Sequence, residues 1–295
     1  DFLAVANISY EHNAVKGSTY KPSYAIMEGI DEKGYAQKTY AEYANAQGEL
    51  YVNYNKVIDK HTIGALAGYS YLENIYEGFG AQRSGFVTDA FSYNNLGAGY
   101  NYRLGDVYSY KGKSNLVSFY ARANYSYDGK YLLTGTVRRD GSSRFGENNK
   151  WGTFPSASVA WKVSSEEFMS STKGWLDTLK FRVGYGVTGN QDGIGEYKSL
   201  SILGVGNDSY YDPTTGRWSL AYSPKQNPNP DLKWESTKQL NIGVDFSLFN
   251  RITGSFEYYS KNTDDLLYTY EVPQPPYLVG TMLANVGEMS NKGVE

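Results

Sequence analysis

Apolar and polar residues alternate along several stretches of the chain. From Leu179 to Val187, apolar residues occupy the odd positions, and lysine, arginine and glycine occupy the even ones. From Gln239 to Leu248, the even positions are apolar and the odd ones are polar or glycine. A period of two residues is that of a β-strand, whose successive side chains point to opposite faces. The pattern therefore predicts strands with one apolar face and one polar face.

Other stretches show the same alternation, most of them less regularly. They are Phe2–Tyr10, Leu50–Ile58, Thr62–Leu72, Val117–Ser126, Tyr131–Arg139, Phe154–Val163 and Ile252–Lys261. Together these patterns predict about nine strands of roughly ten residues, with a further strand beginning near Glu295. Ten residues at about 3.3 Å each, tilted by about 40°, cover about 25 Å, which is the height of the apolar band of an outer-membrane barrel. Soluble strands more often have about five or six residues.

Short and long links alternate between the predicted strands. Short links join Ile58 to His61 and Phe249 to Arg251, and Tyr127–Lys130 contains Asp-Gly, a strong hairpin signal. The long links are Glu73–Gly112, Asp140–Gly152, Gly189–Glu235 and Asp264–Glu288, and Ser164–Asp177 is predicted to hold one short helix. Outer-membrane barrels combine short periplasmic turns with long external loops in this way. A soluble sandwich seldom carries two irregular loops of about 40 residues.

The composition narrows the class of protein further. The 295 residues include 30 Tyr, 12 Phe and 5 Trp, and aromatic rings with a polar tip suit a membrane–water interface. The 28 basic and 31 acidic residues give a net charge of -3, which argues against a nucleic-acid partner. No run approaches the roughly 18 apolar residues of a spanning helix. Cysteine is absent, which excludes a disulfide scaffold and a thiolate site.

Residues suited to covalent chemistry are sparse. His12 and His61 are the only histidines, which leaves little for a Ser-His-Asp triad or a metal site. The carboxylate pairs Glu166–Glu167 and Asp264–Asp265 are predicted at turns, where solvated acids are normal. The oxygen-rich stretch 140–149 could hold Ca²⁺, although a hydrogen-bonded turn is the simpler interpretation. We therefore expect no catalytic residue, no metal ligand and no cofactor, and do not expect an enzyme.

Five sequence blocks, in order along the chain, resemble the SusC/RagA family of TonB-dependent outer-membrane transporters. They are Arg138–Gly146 (RRDGSSRFG), Trp151–Ser156 (WGTFPS), Gly186–Gln191 (GVTGNQ), Asn229–Glu235 (NPDLKWE) and Asn285–Glu295 (NVGEMSNKGVE). Each block alone is modest, but five in this order and spacing are specific. The clear resemblance covers Phe119–Glu295, and the first hundred residues fit by pattern alone.

The resemblance implies an all-β fold, part of a large antiparallel transmembrane β-barrel of about 22 strands with long external loops. It also implies the outer membrane of a Gram-negative bacterium, an N-terminal plug, energy from the TonB–ExbB–ExbD complex and a SusD-like surface lipoprotein as a lid. Members import large glycans, oligosaccharides or peptides. No plug or TonB box is found, and open strand edges are costly in lipid. Residues 1–295 are therefore expected to form a partial barrel of about ten strands, with the plug domain, TonB box and remaining strands outside this chain.

Two sets of side chains are candidates for binding. If the apolar strand faces meet lipid, the lumen-lining candidates are Arg122, Arg138, Lys180, Arg182, Asp245 and Glu257. The substrate- or lid-binding candidates, in the link Gly189–Glu235, are Tyr197, Tyr210, Tyr211, Trp218 and Tyr222. Aromatic faces stack on sugar rings or peptide side chains. The alternatives are that the charged set only lines a wet wall and pairs with a plug, and that the aromatic set packs on itself or on a lid.

Two other functions fit the strand pattern. A passive porin would share the barrel, and an N-terminal plug would argue against it. A surface glycan-binding or adhesion β-protein would share the strands and aromatic loops, and solubility without detergent would favour it.

Overall fold

The chain is built almost entirely of β-strands. A computed structural model describes residues 1–25, 27–103 and 105–295. The strands are β1 (Phe2–Lys21), β2 (Tyr35–Ile58), β3 (His61–Phe86), β4 (Gly99–Asn101), β5 (Val107–Tyr127), β6 (Tyr131–Ser142), β7 (Trp151–Lys162), β8 (Leu176–Asn190), β9 (Ile202–Asp212), β10 (Arg217–Gln226), β11 (Glu235–Leu248), β12 (Ile252–Glu271) and β13 (Thr281–Val294). The helical segments are α1 (Met27–Asp31) and five 3₁₀ segments, Asp89–Asn94, Leu96–Ala98, Glu147–Asn149, Val163–Ser165 and Glu167–Thr172.

Ten strands follow one path through a single sheet. Their order is β1-β2-β3-β5-β6-β7-β8-β11-β12-β13, with β4 paired to β3, and β9 and β10 form a separate two-stranded sheet. From β5 to β13, each strand on the path pairs antiparallel with its neighbour. The all-β, antiparallel fold predicted from the alternation is thus confirmed. Among the described residues, no helix has the length and apolar character needed to cross a membrane.

The nine strands predicted from the alternation are longer than ten residues, and the long links are correspondingly shorter. β3 has 26 residues and β12 has 20. The predicted link Glu73–Gly112 is reduced to residues 87–106, and Asp264–Glu288 is reduced to residues 272–280. The alternation of hydrophobicity ends where both faces of a strand are polar, but backbone pairing continues. In most strands the apolar pattern therefore marks the end that lies beside a short link, as Leu50–Ile58 does in β2 and Thr62–Leu72 does in β3, and misses the opposite end.

The hairpin predicted at Tyr127–Lys130 is confirmed. Asp128 and Gly129 have φ of 53° and 67°, and the Lys130 amide donates to the Tyr127 carbonyl over 2.9 Å. Two positive φ angles define the turn whose twist matches that of the flanking strands. The short link after β11 has the same signature at Phe249 and Asn250, with φ of 57° and 50°.

The prediction of a single short helix in Ser164–Asp177 is wrong. Two 3₁₀ segments take its place, separated by Glu166 in an extended conformation. The Glu166 carboxylate accepts hydrogen bonds from Tyr131 Oη at 2.6 Å and Trp161 Nε1 at 3.0 Å, at the ends of β6 and β7. These bonds, with Lys130, hold the pKa of Glu166 below its usual value. The link is thereby fastened to the sheet through a side chain.

The chain divides into two compact units. One comprises Ile8–Gly48 and Leu72–Asn115. Within it, Lys111 pairs with Glu77 and Lys113 with Glu73, each over 2.7 Å. The ring of Tyr76 lies over Gly112, where a Cβ would be 2.1 Å from a ring carbon. Ion pairs and aromatic rings laid over glycine therefore tie these strand segments together.

The second unit comprises Asp1–Asn7, Glu49–Tyr71 and Leu116–Glu295. It contains all the side chains singled out from the sequence as binding candidates, and the five sequence blocks.

Candidate binding surface

The strand register places all six lumen-lining candidates on one face of the sheet. Residues directly opposite each other in a sheet share a face, as do residues two apart along a strand. Arg122 is opposite Thr136, which is followed across the sheet by Ser156 on β7 and Gly186 on β8. Arg182 and Lys180 share that face, because they lie an even number of residues from Gly186 on the same strand. The register continues from Lys180 to Asp245, and from Arg182 through Gly243 to Glu257. Arg138, two residues from Thr136, joins the same face.

Four of these side chains form a charged network across three strands. Lys180 Nζ and Arg182 Nε each lie 3.2 Å from the Asp245 carboxylate. Arg182 Nη2 lies 2.5 Å from Glu257 Oε2. The side chains are 21–35% exposed, so the charges are paired but open to solvent. The network presents paired donors and acceptors to whatever lies over this face.

Gly243 makes the link from Arg182 to Glu257 possible. It lies on β11, between Arg182 on β8 and Glu257 on β12. A Cβ built at Gly243 would be 2.7 Å from Arg182 Cζ. The guanidinium therefore crosses the middle strand where there is no side chain, which is one reason for glycine within a strand.

The other two basic candidates are held locally. Arg138 Nε donates to both carboxylate oxygens of Asp140 over 2.8 Å, and its Nη2 donates to Ser118 Oγ, also over 2.8 Å. Arg122 Nε donates to Thr136 Oγ1 over 3.3 Å and stays exposed. Asp140 belongs to the stretch 140–149, which was considered as a Ca²⁺ site. Its carboxylate already accepts hydrogen bonds from Arg138. In the described part of the chain, no group of three or more His, Asp or Glu side chains is placed to hold a metal ion.

The opposite face of the same strands is apolar and exposed. Phe181, Val183 and Tyr185 on β8 are 44%, 48% and 49% exposed, and Phe256 on β12 is 57% exposed. Phe181 is opposite Val244, which is in turn opposite Phe256, so these side chains share a face. A contiguous exposed apolar surface of this kind marks a contact with a membrane or another protein.

A small apolar core lies among the links rather than against the sheet centre. We call it the loop core, and it consists of Phe145, Ile194, Leu232 and Trp234, all at most 8% exposed. The rings of Phe145 and Trp234 have centroids 4.4 Å apart. Leu116, Phe154, Leu267 and Leu283 pack around it from the strands. Three separate links therefore converge on one buried cluster.

Backbone hydrogen bonds hold the same links together. The Gly146 amide donates to the Leu232 carbonyl over 2.9 Å. A Cβ at Gly146 would lie 2.0 Å from the Pro230 carbonyl oxygen, so the two links touch through their backbones. Asn285 donates to the carbonyl of Lys233 and accepts from its amide, over 2.8 and 3.0 Å. The loop core is thus enclosed by a hydrogen-bonded frame.

The aromatic candidates lie mainly on a hairpin, which corrects the prediction of an irregular link over Gly189–Glu235. Four of them are on β9 or β10, namely Tyr210, Tyr211, Trp218 and Tyr222, and are 51–70% exposed. Tyr211 is directly opposite Trp218, and their rings have centroids 5.5 Å apart. Tyr197 lies outside the hairpin, and its carbonyl accepts from Gln226 Nε2 over 2.7 Å. The structure therefore brings Tyr211 and Trp218 together and separates Tyr197 from them.

The tip of this hairpin is an ordered turn. Thr215 Oγ1 and the Thr214 amide donate to the Asp212 carboxylate, each over 2.8 Å. These bonds hold the pKa of Asp212 below its ordinary value. Gly216, which follows Thr215, has φ of 65°. A carboxylate that caps its own turn and a left-handed glycine are common turn devices, and they fix the strands that carry the aromatic residues.

The loop core was missed by sequence reasoning, although its signal was present. Phe145, Leu232 and Trp234 belong to the blocks that carry the family resemblance. The blocks look like polar turns because charged residues, glycine, asparagine, proline and serine make up the rest of each block. An apolar residue repeated inside such turn-rich blocks was the sign that these links pack on one another.

A broad antiparallel sheet with an exposed apolar face, a charged opposite face and elaborated links defines the wall of an outer-membrane β-barrel. The chain belongs to the family described as TonB dependent receptor-like, beta-barrel, whose model matches residues 4–295.

Named relatives agree with this assignment. A TonB-dependent receptor of Formosa agariphila is 38% identical over 297 residues, covering 100% of this chain and 28% of the relative. The TonB-dependent receptor SusC of Bacteroides thetaiotaomicron is 38% identical over 194 residues, covering 65% of this chain and 19% of the relative. The chain thus spans less than a third of the length of these curated relatives.

A solved structure of the RagAB peptide transporter is similar over 99% of this chain and 31% of the matched chain. The TM-score is 0.85 and the sequence identity is 26%. The resemblance to SusC and RagA drawn from the five blocks is confirmed.

Proposed function

We propose that this chain forms part of the wall and outer loops of an active outer-membrane importer for large nutrients. The observation that carries the proposal is the two-faced sheet, with exposed Phe181, Val183 and Tyr185 on one side and the Arg182–Asp245–Glu257 network on the other. A surface of this apolar character gains free energy in a hydrocarbon environment, at about 25 cal/mol per Å² removed from water. The charged face is suited to a water-filled lumen.

The work of the protein, in this proposal, is binding and gating without covalent chemistry. Substrate binds first at the external loops, where the exposed rings on β9 and β10 offer flat apolar faces. It then passes the charged wall on β8, β11 and β12. The similar RagAB structure is that of a peptide transporter, and oligosaccharides are the other substrate class that we propose. Both present surfaces on which aromatic rings stack.

Partners complete the proposed cycle. A barrel of about 22 strands encloses a lumen that needs a plug, and the outer membrane holds no ATP, so moving a plug requires work from outside the barrel. We assign that work to the TonB–ExbB–ExbD complex and the retention of substrate to a SusD-like lipoprotein lid. Family membership and the likeness to the RagAB structure support these assignments.

The test replaces Tyr210, Tyr211 and Trp218 together by alanine. We expect uptake, measured as growth on a single oligosaccharide or peptide source that the unaltered protein supports, to fall at least about tenfold at limiting concentration. Barrel assembly, measured by outer-membrane level and heat-modifiable mobility, should not change, because the hairpin is a separate sheet. Each lost stacking contact is worth about 0.5–1.5 kcal/mol, and about 1.4 kcal/mol is a factor of ten.

A matched control removes three exposed aromatic side chains from short links, with Phe168, Trp175 and Phe249 replaced by alanine. It should import normally. Normal import by the hairpin variant would contradict a role of these rings in binding. It would mean that they only pack within the hairpin.

A further inference from the structure

A cavity of about 270 Å³ lies beside the base of the β9–β10 hairpin. It is bounded by the link after β8, the end of β10 and the facing ends of β12 and β13. The polar residues that line it are Lys198, Lys225, Gln226, Asn227, Thr269 and Thr281. None of these positions was singled out from the sequence, and none belongs to the charged wall or to the aromatic set.

The two lysines of the cavity differ from three other cations near the outer links, each of which has a carboxylate partner. Arg144 pairs with Glu196 over 3.0 Å, Lys233 with Asp265 over 2.9 Å and Lys238 with Asp264 over 2.7 Å. Among the side chains that the structure describes, which do not include those of residues 28 and 206–209, neither Lys198 nor Lys225 forms such a pair. The cavity therefore carries two positive charges that the described acidic side chains leave without a counter-charge.

The two amide side chains of the cavity, those of Gln226 and Asn227, already donate hydrogen bonds to backbone carbonyls and form a rigid frame. Asn227 Nδ2 donates to the carbonyls of Val279 and Thr281, over 2.5 and 2.9 Å. Gln226 Nε2 donates to the carbonyls of Tyr197 and Leu200, over 2.7 and 2.6 Å. These bonds tie the end of β10 to the links on either side of it. A rigid frame reduces the entropy that a ligand must offset on binding.

Glycines place the lysine stems along the cavity walls. A Cβ at Gly204 would lie 2.8 Å from Lys225 Cγ and Cε, so the stem of Lys225 is laid across bare backbone of β9. A Cβ at Gly195 would lie 3.6 Å from Lys198 Cε, in ordinary contact. The stem of Lys225 thus depends on Gly204, while that of Lys198 would tolerate a methyl group.

We propose that this cavity binds an acidic sugar residue, with its carboxylate between Lys198 and Lys225 and its hydroxyls toward Thr269 and Thr281. The inference deepens the proposed import function and rests on it for its physiological meaning. The cavity is at the small end of ligand sites, which suits one sugar ring better than an extended peptide. Its lining combines ammonium groups, threonine hydroxyls and glycine backbone, which matches a ring covered with hydroxyls and bearing one charge.

The experiment measures binding of trigalacturonate to the purified protein in detergent by isothermal titration calorimetry. Replacing Lys198 and Lys225 together by glutamine should weaken binding at least about tenfold and flatten its dependence on salt, because the attraction is between charges. Replacing both by arginine should retain most of the affinity. The matched control, Lys173→Gln with Lys292→Gln, removes two exposed lysines elsewhere and should bind as the unaltered protein does.

Two further probes test whether the cavity recognises the carboxylate of the ligand and whether it prefers a sugar to an acidic peptide. Methyl-esterified trigalacturonate, which has the same ring without the charge, should bind at least about tenfold more weakly than the acid. Pentaglutamate should also bind more weakly, and equal or tighter binding of this peptide would overturn the assignment to a sugar. Gly204→Ala should weaken binding of the acid by displacing Lys225, and Gly195→Ala should not.

The outcome is distinct from that of the uptake experiment. Binding in detergent requires neither energy nor a lid, so the cavity can be confirmed even if the hairpin variant imports normally. No binding of trigalacturonate by the unaltered protein, or equal binding by the double glutamine variant, would overturn the inference while leaving import untouched.

Discussion

Gly243 shows how one absent side chain organises a charged surface. Its position on β11 lets the Arg182 guanidinium reach across to Glu257 on the next strand. Aromatic side chains use other glycines in the same way, as where Phe154 covers Gly189 with a potential Cβ only 2.1 Å from the ring. At the scale of the residue, glycine in these strands provides room for a neighbour.

Gly243→Ala should uncouple Arg182 from Glu257. The added methyl group displaces the guanidinium, whereas alanine itself stabilises a strand by about 0.5–1 kcal/mol relative to glycine. The net stability should therefore change by less than about 1 kcal/mol. A double-mutant cycle with Arg182→Gln and Glu257→Gln, followed by urea unfolding in detergent, isolates the pair.

In the native background we expect a coupling of about 0.5–1 kcal/mol between these two residues. In the background of the Gly243→Ala variant it should fall to near zero. An undiminished coupling would mean that the guanidinium finds another route, and that Gly243 has no part in the network.

The face of each charged residue was predictable from the sequence, but its partner was not. Alternation over Leu179–Val187 already separates Lys180 and Arg182 from the apolar positions. Which carboxylate each would meet depends on the register between β8, β11 and β12, and the β9–β10 hairpin separates β8 from β11 along the chain. Register between distant strands is fixed by pairing along their whole length, and a single strand pattern contains no such information.

At the scale of the element, β8 is the clearest two-faced strand. Phe181, Val183 and Tyr185 are exposed on one side, and Arg182 is partly covered on the other. The exposed side belongs to lipid in the proposed function. Substitutions on the two faces of this one strand should therefore differ sharply in their effect.

Phe181→Arg should destabilise the barrel in lipid bilayers by about 2–4 kcal/mol near mid-membrane and much less near an interface. Ser158→Arg, on the polar face of the neighbouring β7, is the matched control and should cost far less. Stability is measured by reversible unfolding in vesicles. Labelling of Phe181→Cys by a water-soluble reagent, with protection of Arg182→Cys, would reverse the assignment of the faces.

The hairpin of β9 and β10 could have been found in the sequence. Asp212–Gly216 carries aspartate, proline and glycine between two aromatic-rich runs, which is a turn signal. The runs lack strict alternation, partly because the register shifts between Leu220 and Tyr222. A bulge of this kind inserts residues that break the period of two, so the strands were hidden while the turn was visible.

At the scale of the whole chain, apolar burial occurs in two different settings. The sheet of the second unit leaves its apolar face exposed, whereas the loop core buries Phe145, Ile194, Leu232 and Trp234 within the same unit. Lipid stabilises the first setting in the proposed function. The second is an ordinary protein core in miniature, and its stability is independent of a membrane.

Leu232→Ala should loosen the outer links without unfolding the barrel. The side chain is fully buried, and truncating such a leucine costs about 2–5 kcal/mol. Protease added to intact cells should then cleave within Gly189–Glu235 much faster than in the unaltered protein. Heat-modifiable mobility of the barrel should be unchanged.

Leu200→Ala, at a position 53% exposed in the link between β8 and β9, is the control and should leave the cleavage rate unchanged. Cleavage that appears only after the outer membrane is opened would place these links on the periplasmic side. It would reverse the proposed topology.

The division between sheet and loop core also explains what the sequence could predict for the whole chain. The alternating strand segments, the all-β class and the family blocks are local signals. The loop core requires that residues 145, 194, 232 and 234 meet, and their separation along the chain hides this from any local pattern. The same is true of the cavity at Lys198 and Lys225, whose walls come from four elements.

The base of the β9–β10 hairpin determines how far the hairpin can be altered without disturbing its surroundings. Ile202 and Gln226, its first and last residues, are paired with each other, and Gln226 is fastened to the carbonyls of Tyr197 and Leu200. The chain thus leaves and re-enters the scaffold at adjacent points. An insertion, a shortening or a complete exchange of residues 203–225 alters no hydrogen bond of the loop core, and lengthening a closed loop costs little entropy. The hairpin is a graft site, on which new recognition surfaces can be installed while the barrel wall stays unchanged.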